Sequence, residues 1–576
     1  MPQLRRLAAS SLYILDQEGV LAFLTLSYLA IVLVPSAVTA LLLLLRVPRP
    51  WVEAQVVLVA TLFGLYRIYL RGLSPLKKWI VLGAFAFSVS LALLAAGLLH
   101  DVSWDGNTYH SEAILGLLDG TNPIYNAFGG TFQLFTNHYP KVEWYFAAAM
   151  GGAFHLFELG KSYNFLLIFA CGAYSWRFFR RIRLDHSASA LLTTCTALNP
   201  IAATQILTFC VDGAMASLLS MLTLSSLAQL RCPTRFDRIV FVAVAAAAAT
   251  TKFTGAAYVC VTLILVFAGL VLVQLRSSWS QKLNAVKSLL VTTALVAAAV
   301  LILGFNPYVT NVLEGNNPLY PVAGANKLTV ISPWEAPAEF LRPNRNRFQN
   351  FAASFFTTTS ETHESESPVP KIPFTVHLAE IKASTYPDLR MAGWGPLFSG
   401  VFVVSLALYL YARGWRLIPE ISFAILLVLA TTFSNPHAWW ARFAPQISLL
   451  PILLLVPCLA MPSVKVNFLA KTICVLYLLN SLLFLVLAIG NSARMTWRVS
   501  RNLKHIYEQC GPGEYWYDGN KILTRYDTLP PYRGVSIHFR RATAIDLASS
   551  VSFPISLLRD GNDTLHIDHC AIPAHP

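Results

Sequence analysis

The segment His100-Asp-Val-Ser-Trp-Asp-Gly-Asn-Thr-Tyr-His110 brings Asp101, Asp105, Tyr109 and His110 together, with Glu112 just beyond, directly after an apolar stretch of bilayer length. Acidic residues at the mouth of a membrane helix are costly unless they face water or a partner. Their concentration here reads as a polar site at a membrane surface, suited to proton transfer where hydrocarbon meets water. Outward-facing cations are scarce in the rest of the chain, which makes Lys141, Lys252 and Arg442 stand out. The sequence contains no Walker loop, CxxC pair, HExxH or GxSxG, so nucleotide-driven transport, zinc hydrolysis and hydrolase-elbow chemistry lose support.

The elements that must position these residues are membrane helices. The chain has 576 residues, 55% of them hydrophobic and only 12% charged; a soluble domain carries about 25% charged residues. The deficit is spread along the length, which indicates a polytopic membrane protein. The net charge of +14 comes from Lys and Arg in short runs between apolar stretches. That is the positive-inside pattern, with attraction to anionic membrane lipid, and not a nucleic-acid footprint. No cleavable signal peptide is evident after Arg5 and Arg6. Seven of nine cysteines lie in or beside apolar segments as small hydrophobes, while Cys510 and Cys570 lie in the polar tail. Those two either pair, if the tail is extracytoplasmic, or remain thiols.

Apolar segments fall near 20–46, 54–70, 79–99, 142–158, 163–179, 188–207, 212–230, 239–275, 287–305, 393–412, 418–433, 443–461 and 467–490. The 239–275 stretch is too long for one span, and its single charge, Lys252, suggests a hairpin of two helices breaking there. Basic clusters at 67–78, 177–183, 231–238, 276–287 and 413–416 should be cytoplasmic. Helix 79–99 then leads outward, and two crossings before 177–183 would put that cluster on the wrong side. One segment does not span. The short, aromatic 142–158, holding Glu143 and His155, is expected on the outer surface or re-entrant. The expected fold is all-α and polytopic, with about thirteen transmembrane helices, outer-surface juxtamembrane helices and a small extracytoplasmic C-terminal α/β region. The expected divisions are 1–78, with two extra N-terminal helices; 79–490, with outer loops 100–162 and 306–392; and the tail 491–576. Within the second loop, Thr357–Ser367 reads as flexible.

Asp105…Tyr109, Gly120-Thr-Asn-Pro-Ile-Tyr125 and Tyr139-Pro140-Lys141…Trp144 follow one another in the first outer loop. In that order they resemble the GT-C superfamily of integral-membrane glycosyltransferases, whose aminoarabinose and protein O-mannosyl branches have an acidic residue four before a Tyr there. Asp212, Thr251-Lys252-Phe-Thr-Gly255, Asn316-Asn-Pro-Leu-Tyr-Pro321 and Trp439-Trp-Ala-Arg-Phe443 resemble further superfamily motifs in the expected order. The resemblance covers roughly 80–460. It departs at the single Pro140, which precedes Lys141 where the family has Lys before a double proline.

The resemblance implies an enzyme that moves a sugar from a polyprenyl phosphate to an acceptor hydroxyl on an envelope glycan, lipid or protein. The site would face the exterior or periplasm, most naturally of a bacterial inner membrane. The acceptor needs a carboxylate base, for which Asp105 is the choice and Asp101 the competitor. Asp105 could instead cap the loop helix, and Asp101 could be a structural cap. Lys141, Lys252 and Arg442 are candidates for the lipid phosphate. Snorkelling for Lys141, a structural pair with Asp212 for Lys252 and an aromatic-belt anchor for Arg442 are the plainer alternatives. Tyr109, His110, His138, Tyr139 and Asp212 complete the candidate substrate site. No cofactor is expected; Asp101, Asp105 and Asp212 could offer a divalent cation three ligands, but metal is not favoured. Two other classes remain. A polymerase or ligase with a pyrophosphate-linked donor could use Arg342, Arg345, Arg347 and Arg390, and a lipid-sugar transporter would place its ionisable groups near the midplane.

Overall fold

The computed structural model describes residues 18–129, 132–231, 233–273, 279–328, 340, 345–361, 369–414, 416 and 418–510, and four strands in the tail. All thirteen segments expected to span are helical. Among the described residues, seven helices are long and apolar enough to cross a bilayer: Glu18–Leu44, Trp51–Tyr69, Pro75–Leu98, Asp212–Arg231, Phe253–Val273, Leu283–Leu303 and Val464–Arg498. Phe398–Arg413, Pro419–Ser434 and Pro445–Leu459 are shorter apolar helices. Tyr163–Arg181, Arg235–Thr251 and His186–Ala197 complete the set. The chain is a polytopic helical membrane protein.

Three local features depart from or sharpen the expectation. The segment 188–207 is not one helix: Asn199 ends it and caps a new helix, Pro200–Gln205, accepting a bond from the Ala202 N–H at 3.0 Å. A proline at the first helical position restarts the helix where it could not continue one. The short segment forms a 13-residue helix, Val142–Phe154, which ends at His155 with φ 51°. At about 20 Å it cannot cross a bilayer core of about 30 Å. It is not spread on the outer surface, however. It is buried, packed beneath the loop helix Ser111–Leu118 and against Glu18–Leu44, because its aromatic residues find protein and not the interface. Likewise Glu18–Leu44, the first helix among the described residues, is largely buried. It packs along Tyr163–Arg181 inside the bundle, with Tyr28 against Phe169 at 5.5 Å between ring centroids, whereas Trp51–Tyr69 and Pro75–Leu98 show mostly apolar outer faces.

The hairpin at Lys252 is present. Lys252 is extended (φ −156°, ψ 149°) between Arg235–Thr251 and Phe253–Val273. Gly255 allows the close return, since a Cβ there would lie 1.9 Å from the Ala248 carbonyl oxygen. At one end of the bundle basic residues meet acidic partners. Arg177 and Arg181 both reach Asp237 at 2.7 Å, Arg231 pairs with Glu420 at 2.7 Å, and Lys471 lies 3.5 Å from Asp185.

The loop 306–392 carries its own structure, including Arg347–Phe355 and Leu378–Ala383. The described part of the expected flexible run is held: Thr357 bridges to Pro370, Ser360 to Met391, and Glu380 accepts from the Thr359 N–H and the Lys371 ammonium. Residues 362–367 lie outside the described residues. In the tail, β1 (Glu514–Asp518), β2 (His538–Arg541), β3 (Val551–Pro554) and β4 (Thr564–Ile567) form a sheet of order β2-β1-β4-β3. Only β1 and β2 are parallel. The Cys510–Cys570 pairing falls on Cys570, outside the described residues.

Candidate active site

Arg442 lies at the centre of the site, on a single 3-10 turn, Ala441–Phe443. Its Nη2 is 3.0 Å from Asp105 Oδ2, its Nη1 is 3.0 Å from Asp388 Oδ2, and its Nε is 3.5 Å from Asp212 Oδ2. Three carboxylates from three separate segments thus face the three edges of one guanidinium. Its plane lies over Trp440 at 4.8 Å, which adds cation–π attraction and fixes the fork. Lys252, presented by the helix break, donates to Asp212 Oδ1 at 2.5 Å and lies 4.3 Å over the Phe443 ring. Asp212 begins its helix, and Gln205 holds it from behind, donating to Oδ2 at 3.4 Å and accepting from the Gly213 N–H at 2.8 Å.

Asp105 does not cap the loop helix; its side chain makes no capping bond. It accepts from the Tyr109 hydroxyl at 3.2 Å, one turn away, and pairs with Arg442. Both contacts fall on Oδ2, so among the described residues nothing engages Oδ1. Gly106 is required beside it, since a Cβ there would lie 1.8 Å from Asp101 Oδ2.

Asp101 stands elsewhere. Its Oδ1 accepts from the Ser103 N–H (2.6 Å) and hydroxyl (2.7 Å), and its Oδ2 from the Phe209 N–H at 2.7 Å. Both oxygens tie backbone, so the geometry does not favour it as a base. It also leaves Asp101, Asp105 and Asp212 unassembled around any common point, with Arg442 between the last two. Among the described residues, no group of three His, Cys, Asp or Glu is arranged to hold a metal ion. Lys141 is likewise diverted: its ammonium donates to the carbonyls of Asn137 (2.9 Å) and Tyr139 (2.8 Å). Burial holds its pKa well below the usual lysine range. It braces its own turn and reaches no carboxylate of the cluster.

His110 is buried, and its Nδ1 accepts from Trp144 Nε1 at 2.7 Å. Burial lowers its pKa to about 3, which keeps the ring neutral. It backs Tyr109, with ring centroids 4.2 Å apart, and Tyr139 and Trp144 stack alongside at 5.7 Å. Burial, reinforced by Asp105, raises the Tyr109 hydroxyl well above its ordinary value, so Tyr109 stays a donor to that carboxylate. His138 joins the loops 100–162 and 306–392 instead, with Nδ1 2.7 Å from Asn311 Oδ1 and its ring against Tyr320.

Comparison with known proteins adds little at the level of sequence: no family model and no curated protein matches the chain. Among solved structures the chain is similar to the crystal structure of ArnT from Cupriavidus metallidurans bound to undecaprenyl phosphate. Identity is 12% and the TM-score 0.46, over 86% of this chain and 99% of that one. The chemistry has to be read from this chain's own side chains.

Two of those side chains escaped the sequence. Asp388 is one; its second oxygen accepts from Trp440 Nε1 at 2.9 Å, and partial burial, opposed by Arg442, raises its carboxyl above the ordinary value. Gln205 is the other. The acid–base pair Asp388 and Arg390, two apart at the end of an outer loop, was the available signal. Of the arginines offered to a pyrophosphate, Arg390 lies near the cluster, 5.0 Å over Trp440. Arg345 rests on Phe340, Arg347 bonds the Phe433 carbonyl, and Arg342 lies outside the described residues.

Proposed function

We propose that this chain is a membrane glycosyltransferase. In this reading it transfers a sugar from a polyprenyl-phosphate donor to an acceptor hydroxyl, on an envelope glycan, lipid or protein, at the outer face of a bacterial inner membrane. What supports it is one juxtaposition: a carboxylate with an open oxygen, Asp105, held against a forked cation, Arg442, at the ends of apolar helices. In the reaction the acceptor oxygen forms a bond to the anomeric carbon while the carbon–oxygen bond to phosphate breaks. That bond's electron pair stays on the phosphate. The acceptor proton passes to Asp105, whose Oδ1 is placed to take it. Arg442, with Lys252 behind it, offsets the charge that grows on the leaving phosphate. A transporter would hold such groups near the bilayer midplane, whereas this cluster is built from loop residues and helix ends, which supports the transferase reading.

The test supplies a radiolabelled polyprenyl-phosphate sugar to membranes containing the chain. Wild type transfers the label to an endogenous acceptor, and Asp105→Asn lowers the rate by about 10²–10⁴-fold. Equal rates in the two would remove Asp105 as base. No transfer by wild type from any such donor would overturn the assignment.

A further inference from the structure

Arg442 is oversubscribed. A guanidinium fork matches one phosphate through two parallel N–H bonds, yet here Nη2 and Nη1 each lie 3.0 Å from a different carboxylate, and Nε, 3.5 Å from a third, makes no hydrogen bond. Counting the cluster, Asp105, Asp212 and Asp388 carry three negative charges against two positive ones on Arg442 and Lys252. Arg390, across Trp440, makes the balance even. A phosphate entering with every carboxylate in place therefore meets no net attraction. One carboxylate has to leave the guanidinium, and the three are not equally free to do so.

Asp212 is 3% exposed, begins a buried helix and is fastened by Lys252 and Gln205. Asp105 is 15% exposed and held by Tyr109 within its own helical turn. Asp388 is the most open at 31% and lies on a loop, in the irregular stretch before Phe398–Arg413. Giving up Arg442 Nη1 costs Asp388 one ion pair and leaves its other oxygen on Trp440 Nε1.

We infer that Asp388 is a stand-in for the donor phosphate: it occupies the Nη1 edge of Arg442 and yields that edge to a phosphate oxygen when the lipid donor binds. The inference rests on the proposed transferase reading. It also gives Asp388 a part in turnover. The donor is a phosphodiester with one negative charge, and the product is a phosphomonoester with up to two. The product holds Arg442 more tightly than the donor does, and the return of Asp388 competes with it and speeds its departure.

The test measures binding of farnesyl monophosphate to the full chain in nanodiscs, with farnesol as the uncharged control. Removing one adjacent negative charge at partly screened range should tighten binding by about tenfold. Asp388→Asn is expected to bind the phosphate that much more tightly than wild type, with farnesol unaffected. Asp388→Glu, which restores the charge, returns toward wild type. In turnover, Asp388→Asn lowers the donor KM and lowers kcat as product release slows. A side chain that merely supports the loop would give the opposite: weaker binding and a higher KM. Equal or weaker phosphate binding by Asp388→Asn, with wild type binding normally, overturns the stand-in alone. No phosphate binding by wild type or either variant overturns the transferase reading with it.

Discussion

The guanidinium of Arg442 does what an ammonium could not. Three edges meet three carboxylates, and the flat face lies on Trp440. Lysine has one point charge on a flexible stem and cannot hold that geometry. Arg442→Lys is therefore expected to keep the fold but cost about 10²-fold in kcat/KM, most of it in donor KM, measured with a polyprenyl-phosphate sugar. A loss of ten times or less would mean that charge alone suffices there. Lys141 makes the contrast. Its ammonium is spent on two carbonyls of its own turn, so Lys141→Met should lower the unfolding temperature in detergent and leave donor KM near wild type. A large KM rise without loss of stability would return Lys141 to the phosphate. These two residues show what was legible one side chain at a time. The sequence exposed the scarce outward cations as a set, but not which of them the nearby carbonyls would capture. For Asp101 the structural alternative was legible, but not its partner, because the Phe209 N–H arrives from a segment 108 residues away.

Elements decide how these side chains are presented, and the break at Lys252 is the most consequential of them. Thr251, the last residue of its helix, lies beside Glu143 of the short buried helix, with Thr251 Oγ1 2.5 Å from Glu143 Oε1 and 2.8 Å from the Ala247 carbonyl. The hydroxyl has one proton for two acceptors, and a protonated Glu143 makes both contacts hydrogen bonds. Burial raises the Glu143 carboxyl to about 8, in keeping with that state. An unfolded glutamate ionises near pH 4.3. The folded pKa is the higher one, so the contribution to stability is whole below that pH and is lost as pH rises toward about 8. Glu143→Gln keeps a donor for Thr251 and does not titrate. It should unfold a few degrees higher than wild type at pH 8, with the gap closing at pH 4.5; an equal gap at both would place the ionisation elsewhere. The break itself was readable, from one charge in a long apolar stretch. The break at Asn199-Pro200 carried an equally plain signal that apolar length obscured. Asp388 was hidden because a long loop has no period from which burial can be inferred.

For the molecule as a whole, polarity runs from one end of the bundle to the other. Arg177, Arg181, Arg231 and Lys471 find acidic partners at one end, while Asp105, Asp212, Lys252, Asp388 and Arg442 meet at the opposite helix ends. This division was legible before any coordinates, from the positions of Lys and Arg and the removal of one short segment from the set of spans. It was legible because the insertion rule acts on loops one at a time and needs no knowledge of packing. The packing order was not legible in the same way. That Glu18–Leu44 lies inside the bundle depends on its contact with a helix more than a hundred positions later, Tyr28 meeting Phe169. Sidedness is open to a direct measurement on cells. Asn126 is exposed in the loop 100–162, and Ser187 is exposed beside Asp185 at the basic end. Asn126→Cys should react with a membrane-impermeant maleimide on intact cells. Ser187→Cys should react only after the membrane is opened. The reverse pattern would turn the cluster toward the cytoplasm, where the donor would have to be presented on the inner leaflet.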